Sequence, residues 1–93
     1  MSTKPITISA YIGSNNKTKQ LEIDKIVKIA NKNHDEFTLD YPKLGYWKGE
    51  SEDTAVLLLS DDKQKILATL EELKEVLEQD AIAYQIENDL QII

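Results

Sequence analysis

The run Thr54-Ala55-Val56-Leu57-Leu58-Leu59 is apolar at five consecutive positions. A strand with one wet face alternates, so an unbroken run of this length is the pattern of a strand covered on both faces. It predicts a central strand, and the rest of the chain has to supply the layers around it.

The flanking segments change period in a regular order. Ile6-Thr7-Ile8-Ser9-Ala10-Tyr11-Ile12 repeats every two residues and ends in the turn cluster Gly13-Ser14-Asn15-Asn16, which predicts a first strand. Ile23, Ile26, Val27 and Ala30 then fall at i, i+3, i+4 and i+7, the stripe of a helix that Thr18 could cap and that Leu21 and Ile29 widen. Phe37-Thr38-Leu39-Asp40-Tyr41 alternates again. Pro42 blocks further ladder bonding, so this reads as a short edge strand. After the central run, Ser60-Asp61-Asp62 offers caps for a second helix with Ile66, Leu70, Leu73 and Leu77 inward and Leu67 and Val76 beside them. Ala81 to Ile86 is a fourth strand, followed by an Asn88-Asp89 turn signal and an apolar tail, Leu90 to Ile93.

The order β-α-β-β-α-β predicts an α+β fold of ferredoxin-like type: a four-stranded antiparallel sheet with both helices on one face. At 93 residues the chain reads as one domain, 1–93, burying roughly 60 to 65% of its unfolded surface. Stability should therefore be modest unless a partner covers more.

Ile6, Ile8, Ala10 and Ile12 are expected to face the helices, which sends Thr7, Ser9 and Tyr11 to the other face. Strand three adds either Val56 and Leu58 or Ala55, Leu57 and Leu59 to that open face. Strand four adds either Ala81, Ala83 and Gln85 or Ile82, Tyr84 and Ile86. So much apolar sheet surface calls for a cover, for which a second copy is the usual occupant and the C-terminal tail another. Thr7, Ser9, Val56, Leu58 and Tyr84 form the candidate oligomer face, with a dimer as the first assembly expected.

Composition excludes several kinds of work. The net charge is -6 and all eleven basic residues are Lys, so forked contacts to guanine or phosphate are lacking and no nucleic-acid partner is expected. Charge is uneven. Five Lys between Lys17 and Lys32 oppose Glu22 and Asp24, whereas ten acids between Glu50 and Asp80 oppose Lys63, Lys65 and Lys74. Without Cys there is no disulfide staple, thiolate metal site or Cys nucleophile. Met1 to Pro5 has no apolar signal core, and no apolar run reaches the ~20 residues of a membrane span. A cytoplasmic protein with no membrane partner is expected.

His34 is the single His, follows a helix, and has no partner at a recognisable spacing, so it reads as a surface or capping residue. Glu50, Glu52 and Asp53 could act as acid and base or hold a hard cation, but close acids in a turn are usually only solvated. No catalytic residue, metal or cofactor is therefore expected, and the chain reads as a binding protein rather than an enzyme.

The stretch Gly45-Tyr46-Trp47-Lys48-Gly49-Glu50-Ser51-Glu52-Asp53 places two aromatics and a Lys between glycines just before the central strand. Read as a turn at the sheet rim, it has the groups to stack a planar moiety and hold a negative one, with Tyr11 and Gly13 in reach if strand directions allow. Capping of the core by Trp47 is the alternative use.

A first strand ending in YIGSNN, then FTLDY, GYWKGESEDT, an apolar strand and a helix closing with LEQDAIAY resemble small proteins of bacteriophages, prophages and mobile elements built on a ferredoxin-like plan. The resemblance spans most of the chain, with Tyr11, Gly13, Gly45, Tyr46, Trp47, Lys48, Gly49, Glu52 and Gln79 as matching positions. It implies an accessory phage protein, in the host cytoplasm, and no catalytic assignment. Tyr11, Gly13, Tyr46, Trp47, Lys48, Glu52 and Gln79 are the candidate ligand-binding set. Two classes of work follow: an oligomer sequestering a small nucleotide-like ligand or metabolite at the aromatic rim, or an acidic inhibitor whose Glu50 to Asp80 surface occupies a basic site on a host or defence protein.

Overall fold

Ala55, Leu57 and Leu59 are wholly buried and Val56 and Leu58 half-buried, so the apolar run is a central strand with its odd positions in the core. A computed structural model describes residues 5–15 and 17–87, apart from the side chains of Trp47 and Glu87. Its elements are β1 (Ile6–Ile12), α1 (Ile23–Asn33), β2 (Thr38–Trp47), β3 (Glu50–Asp61), α2 (Lys63–Val76) and β4 (Ala83–Glu87). The strands form one antiparallel sheet in the order β2-β3-β1-β4. This is the ferredoxin-like arrangement that the element order predicts. The Asn88-Asp89 turn and the tail from Leu90 to Ile93 fall outside the described residues.

The helices cover one face because their stripes match it. Ile26, Ile29 and Ala30 of α1 and Ile66, Leu70 and Leu73 of α2, with Leu77, pack on Ile8, Ala10 and Ile12 of β1 and on the odd positions of β3. Burying each such aliphatic side chain contributes roughly 1.5–3 kcal/mol. At the start of α2, Asp62 caps as expected, accepting from the backbone N–H of Gln64 and Lys65. The expected Thr18 cap is not formed: α1 starts at Ile23 behind Glu22, which gives no side-chain cap, and Thr18 sits in a turn closed by Asn15.

The open face is the less apolar one. β3 sends Val56 and Leu58 there, and β1 sends Thr7, Ser9 and Tyr11, with Thr7 and Ser9 buried among their neighbours and Thr7 hydrogen-bonded to Ser60 at 2.8 Å. Tyr84, expected on this face, is not on it. The register sets it opposite Ala10 and Ile86 opposite Ile8, so both lie on the helix side, where the helices leave the β4 edge uncovered and both stay exposed. Ala83 and Gln85 take the open side.

The largest departure lies between β2 and β3. Pro42 does not end β2. The register shifts between Asp40 and Lys43, at the cis Tyr41–Pro42 peptide, and pairing then resumes from Lys43 opposite Thr54 to Trp47 opposite Glu50. Lys48 and Gly49, both at positive φ (51° and 82°), form the two-residue turn. Such a turn matches the twist of the flanking strands. The 45–53 stretch is thus a hairpin rather than a loop at the rim. β1 pairs with β3 only as far as Ala55, so the hairpin projects beyond the four-stranded sheet as a two-stranded ribbon.

Candidate functional site

Where the ribbon leaves the sheet, the open face carries a glycine-flanked polar strip, the trough. Thr54 and Glu52 follow Val56 at period two, so they project on the open side. Glycine stands beside them on both flanks. On β2, Gly45 pairs with Glu52, and a Cβ there would come within 2.6 Å of Thr54 Oγ1. On the other flank, Gly13 follows the last β1 pair, and a Cβ there would come within 2.8 Å of Glu52 Oε1. Neither glycine has the positive φ of a turn; each is needed for close approach. The Thr54 hydroxyl therefore lies over Gly45 and the Glu52 carboxylate over Gly13, with half-exposed Tyr11 two residues from Gly13. Glu52 makes no hydrogen bond or ion pair with the described residues.

The loop carrying Gly13 is held firmly. Gln79, from the candidate ligand set, donates its side-chain amide to the carbonyls of Ser14 (2.7 Å) and Gly13 (3.4 Å). Ser14 donates to the Asp53 carbonyl, and Asn15 donates to the Leu77 carbonyl while accepting from the N–H of Lys17 and Thr18. Lys17 and Glu78 add an exposed ion pair at 2.7 Å, which holds the Glu78 carboxyl below and the Lys17 ammonium above their ordinary values. Gln79 therefore positions the trough wall with its amide hydrogens.

The predicted residues thus divide. Tyr11, Gly13 and Glu52 share the trough, and Gln79 braces it. Tyr46 follows Gly45 and pairs with Ser51, one position from Glu52 but on the other side of the ribbon, and Lys48 lies in the turn beyond the Trp47–Glu50 pair. On that helix side Tyr46, with Leu44, is about two-thirds exposed. Position 47 pairs with Glu50; the Trp47 side chain lies outside the described residues. Thr54 was missed. Counting back from Lys48-Gly49 as a two-residue turn would have set Gly45 against Glu52 and exposed the trough.

His34 does cap α1, its N–H bonding the Ala30 carbonyl, but its ring is buried rather than on the surface. Nδ1 donates to Asp61 at 2.9 Å, and Nε2 lies 2.8 Å from Thr69 Oγ1, which in turn bonds the Lys65 carbonyl. The His34 bond, then the Asp62 N–H, hold the Asp61 carboxyl below its ordinary value. With His34 5% and Thr69 1% exposed, the ring and the hydroxyl are closed to a ligand, and of the three only Asp61 is partly exposed. The trio locks the end of α1 to the end of β3 and the middle of α2. No group of metal-ligating side chains occurs among the described residues, and no helix among them is long and apolar enough to cross a membrane.

No protein-family model and no curated protein matches the chain. Solved structures do. A phage SAM lyase in complex with S-methyl-5'-thioadenosine aligns over 95% of this chain and 84% of its own, at 15% identity and a TM-score of 0.62. A DUF3240 family protein from Shewanella baltica aligns over 99% and 96%, at 19% identity and 0.67. CutA1 from Oryza sativa aligns over 99% and 87%, at 16% identity and 0.59. At these identities the likeness is one of fold.

Proposed function

We propose that the chain is a non-catalytic, phage-type accessory protein that works as a homo-oligomer and sequesters a small nucleotide-like ligand in the Gly13–Glu52–Gly45 trough. The observation that carries this reading is the pair of glycines flanking Glu52, whose missing Cβ atoms let the Glu52 carboxylate lie over Gly13 and the Thr54 hydroxyl over Gly45, gathering two polar groups on the open face. A flat ring can stack on the half-exposed Tyr11 side chain, and Glu52 accepts from ligand hydroxyl or amino groups. That a protein of the same fold holds S-methyl-5'-thioadenosine supports the ligand class.

Self-association is supported by what one chain leaves uncovered. Leu44 and Tyr46 on the ribbon, and Tyr84 and Ile86 at the β4 edge, are all exposed. A two-stranded ribbon alone is marginal in water, and free sheet edges invite pairing. In an oligomer the ribbon tip of one copy, with Tyr46 and Lys48, can reach the trough of the next and set a cation beside the Glu52 carboxylate. An acidic inhibitor is the second reading. It rests on Glu71, Glu72 and Glu75, which line a surface depression on α2 together with Lys74 and Gln79. It predicts capture of a basic host protein that weakens with salt.

Calorimetric titration with adenosine, adenosine monophosphate, S-methyl-5'-thioadenosine and S-adenosylmethionine, followed by chromatography of the mixture, tests the reading. Saturable binding of at least one compound, recovered unchanged, is expected, with loss in Gly13→Val. Silence across the series contradicts the ligand, and conversion of any compound contradicts the absence of catalysis.

A further inference from the structure

A second feature lies on the opposite side of the molecule, on the outer surface of the helical layer. Between α1 and α2 runs a groove of about 370 Å³ lined by Lys25, Lys28, Ile29, Lys32, Glu72 and Val76. Its floor is aliphatic: Ile29 reaches it from the core, and Val76 is 41% exposed although it sits on a helix whose other exposed positions are nearly all polar. One wall is cationic. Lys25, Lys28 and Lys32 recur at i, i+3 and i+7, which sets them along one side of α1 over about 10 Å.

In a chain of net charge -6, a lysine row beside apolar floor is not the general character of the surface. Nor is the row fully neutralised from within. Lys25 bridges Glu22 at 3.0 Å and Lys32 bridges Glu72, but Lys28 has no ion-pair partner among the described residues. Lys25 and Lys32 keep half or more of their side chains exposed, so each ammonium can take a ligand carboxylate beside its bridge.

We propose that this groove docks an acidic amphipathic helix of a partner protein, its apolar stripe on Ile29 and Val76 and its carboxylates on Lys25, Lys28 and Lys32. Charge complementarity and form select this occupant. Two packed helices present a seam that takes a third helix, and anchors at i, i+3 or i+4 and i+7 on that helix repeat at the spacing of the lysines. A compact polyphosphate would match the charges but leave the aliphatic floor unused. The site is independent of the trough, since none of its lining residues comes from the sheet.

The test uses the full chain and two fluorescein-labelled peptides of about three heptads, with the same Leu stripe flanked by Glu in one and by Lys in the other. Fluorescence anisotropy is expected to show saturable binding of the acidic peptide, at least tenfold tighter than the basic one and weakening as salt rises. Lys28→Glu and, separately, Val76→Asp should each weaken it tenfold or more at an unchanged unfolding midpoint, while Glu52→Gln should leave it intact. No binding of the acidic peptide, equal binding of both peptides, or binding indifferent to Lys28→Glu would overturn the proposal. So would adsorption to anionic phosphatidylserine vesicles without peptide binding, which would make the row a membrane contact.

Discussion

At the scale of single residues, the two trough glycines predict different costs for the same added methyl. In Gly45→Ala the new Cβ meets Thr54 Oγ1 at 2.6 Å, on a β-branched side chain with little rotameric freedom, so about 1–3 kcal/mol should be lost in urea unfolding. Adding Thr54→Ala should recover most of that loss, and additive costs in the double variant would count against the clash. In Gly13→Ala the Cβ meets the far end of the Glu52 side chain, which can swing away. Stability should barely change while ligand binding falls. His34 and Asp61 supply a pH prediction. The folded Asp61 pKa lies below its ordinary 3.8, so between the two values the unfolded chain binds more protons. The stability from this pair is present above the unfolded value and lost as pH falls through the folded one. Asp61→Asn should thus flatten the decline of the unfolding midpoint between about pH 5 and pH 2. An acid limb equally steep in the variant would contradict the assignment. His34→Ala, which strips Asp61 and Thr69 of a buried partner, should cost about 1–3 kcal/mol at pH 7.

At the scale of elements, the ribbon is the part least supported by the core. Its amides from Lys43 to Thr54 should exchange with deuterium well before those of β1 and the paired half of β3, and oligomer formation should slow the difference. Gly49→Ala, at φ +82°, should weaken the turn by about 1 kcal/mol and speed that exchange further. Uniform protection along β3 would contradict this picture. The same elements show how far sequence alone reached. The helix stripes were legible because burial on one side writes a period into the chain, and Ile66, Leu70, Leu73 and Leu77 sit where that period put them, while the Ala55 to Leu59 run was legible as an unbroken apolar stretch of strand length. The ribbon was hidden, because its residues touch little core and carry no such period, and Pro42 looked like a stop where the strand absorbs it with a register shift. Tyr84 was misplaced for a related reason. A short edge strand with Ala, Tyr, Gln and Ile has apolar residues at both parities, so only its register against β1 fixes the face. The trough was half legible: Tyr11, Gly13 and Glu52 were chosen, but their meeting depends on that hairpin register.

At the scale of the whole molecule, one sheet carries two different surfaces. The helical side buries the core and presents a lysine-lined groove, while the open side is a mixed surface where two glycines let Glu52 and Thr54 lie close to the backbone. A long dimension of 43 Å against 27 and 19 Å fits a small body with a projecting ribbon. Light scattering should give a particle larger than one chain, and Tyr46→Asp or Tyr84→Asp should shift it toward the monomer. A monomer at high concentration would leave the trough without its neighbour's tip, and affinity for the ligand should then be weak. The most direct measurement is the amide spectrum of the 15N-labelled protein during titration with S-methyl-5'-thioadenosine. Saturable shifts centred on Tyr11, Gly13, Gly45, Glu52 and Thr54, absent in Gly13→Val, are predicted; an unchanged spectrum, or shifts confined to residues far from the open face, would contradict a ligand site in the trough.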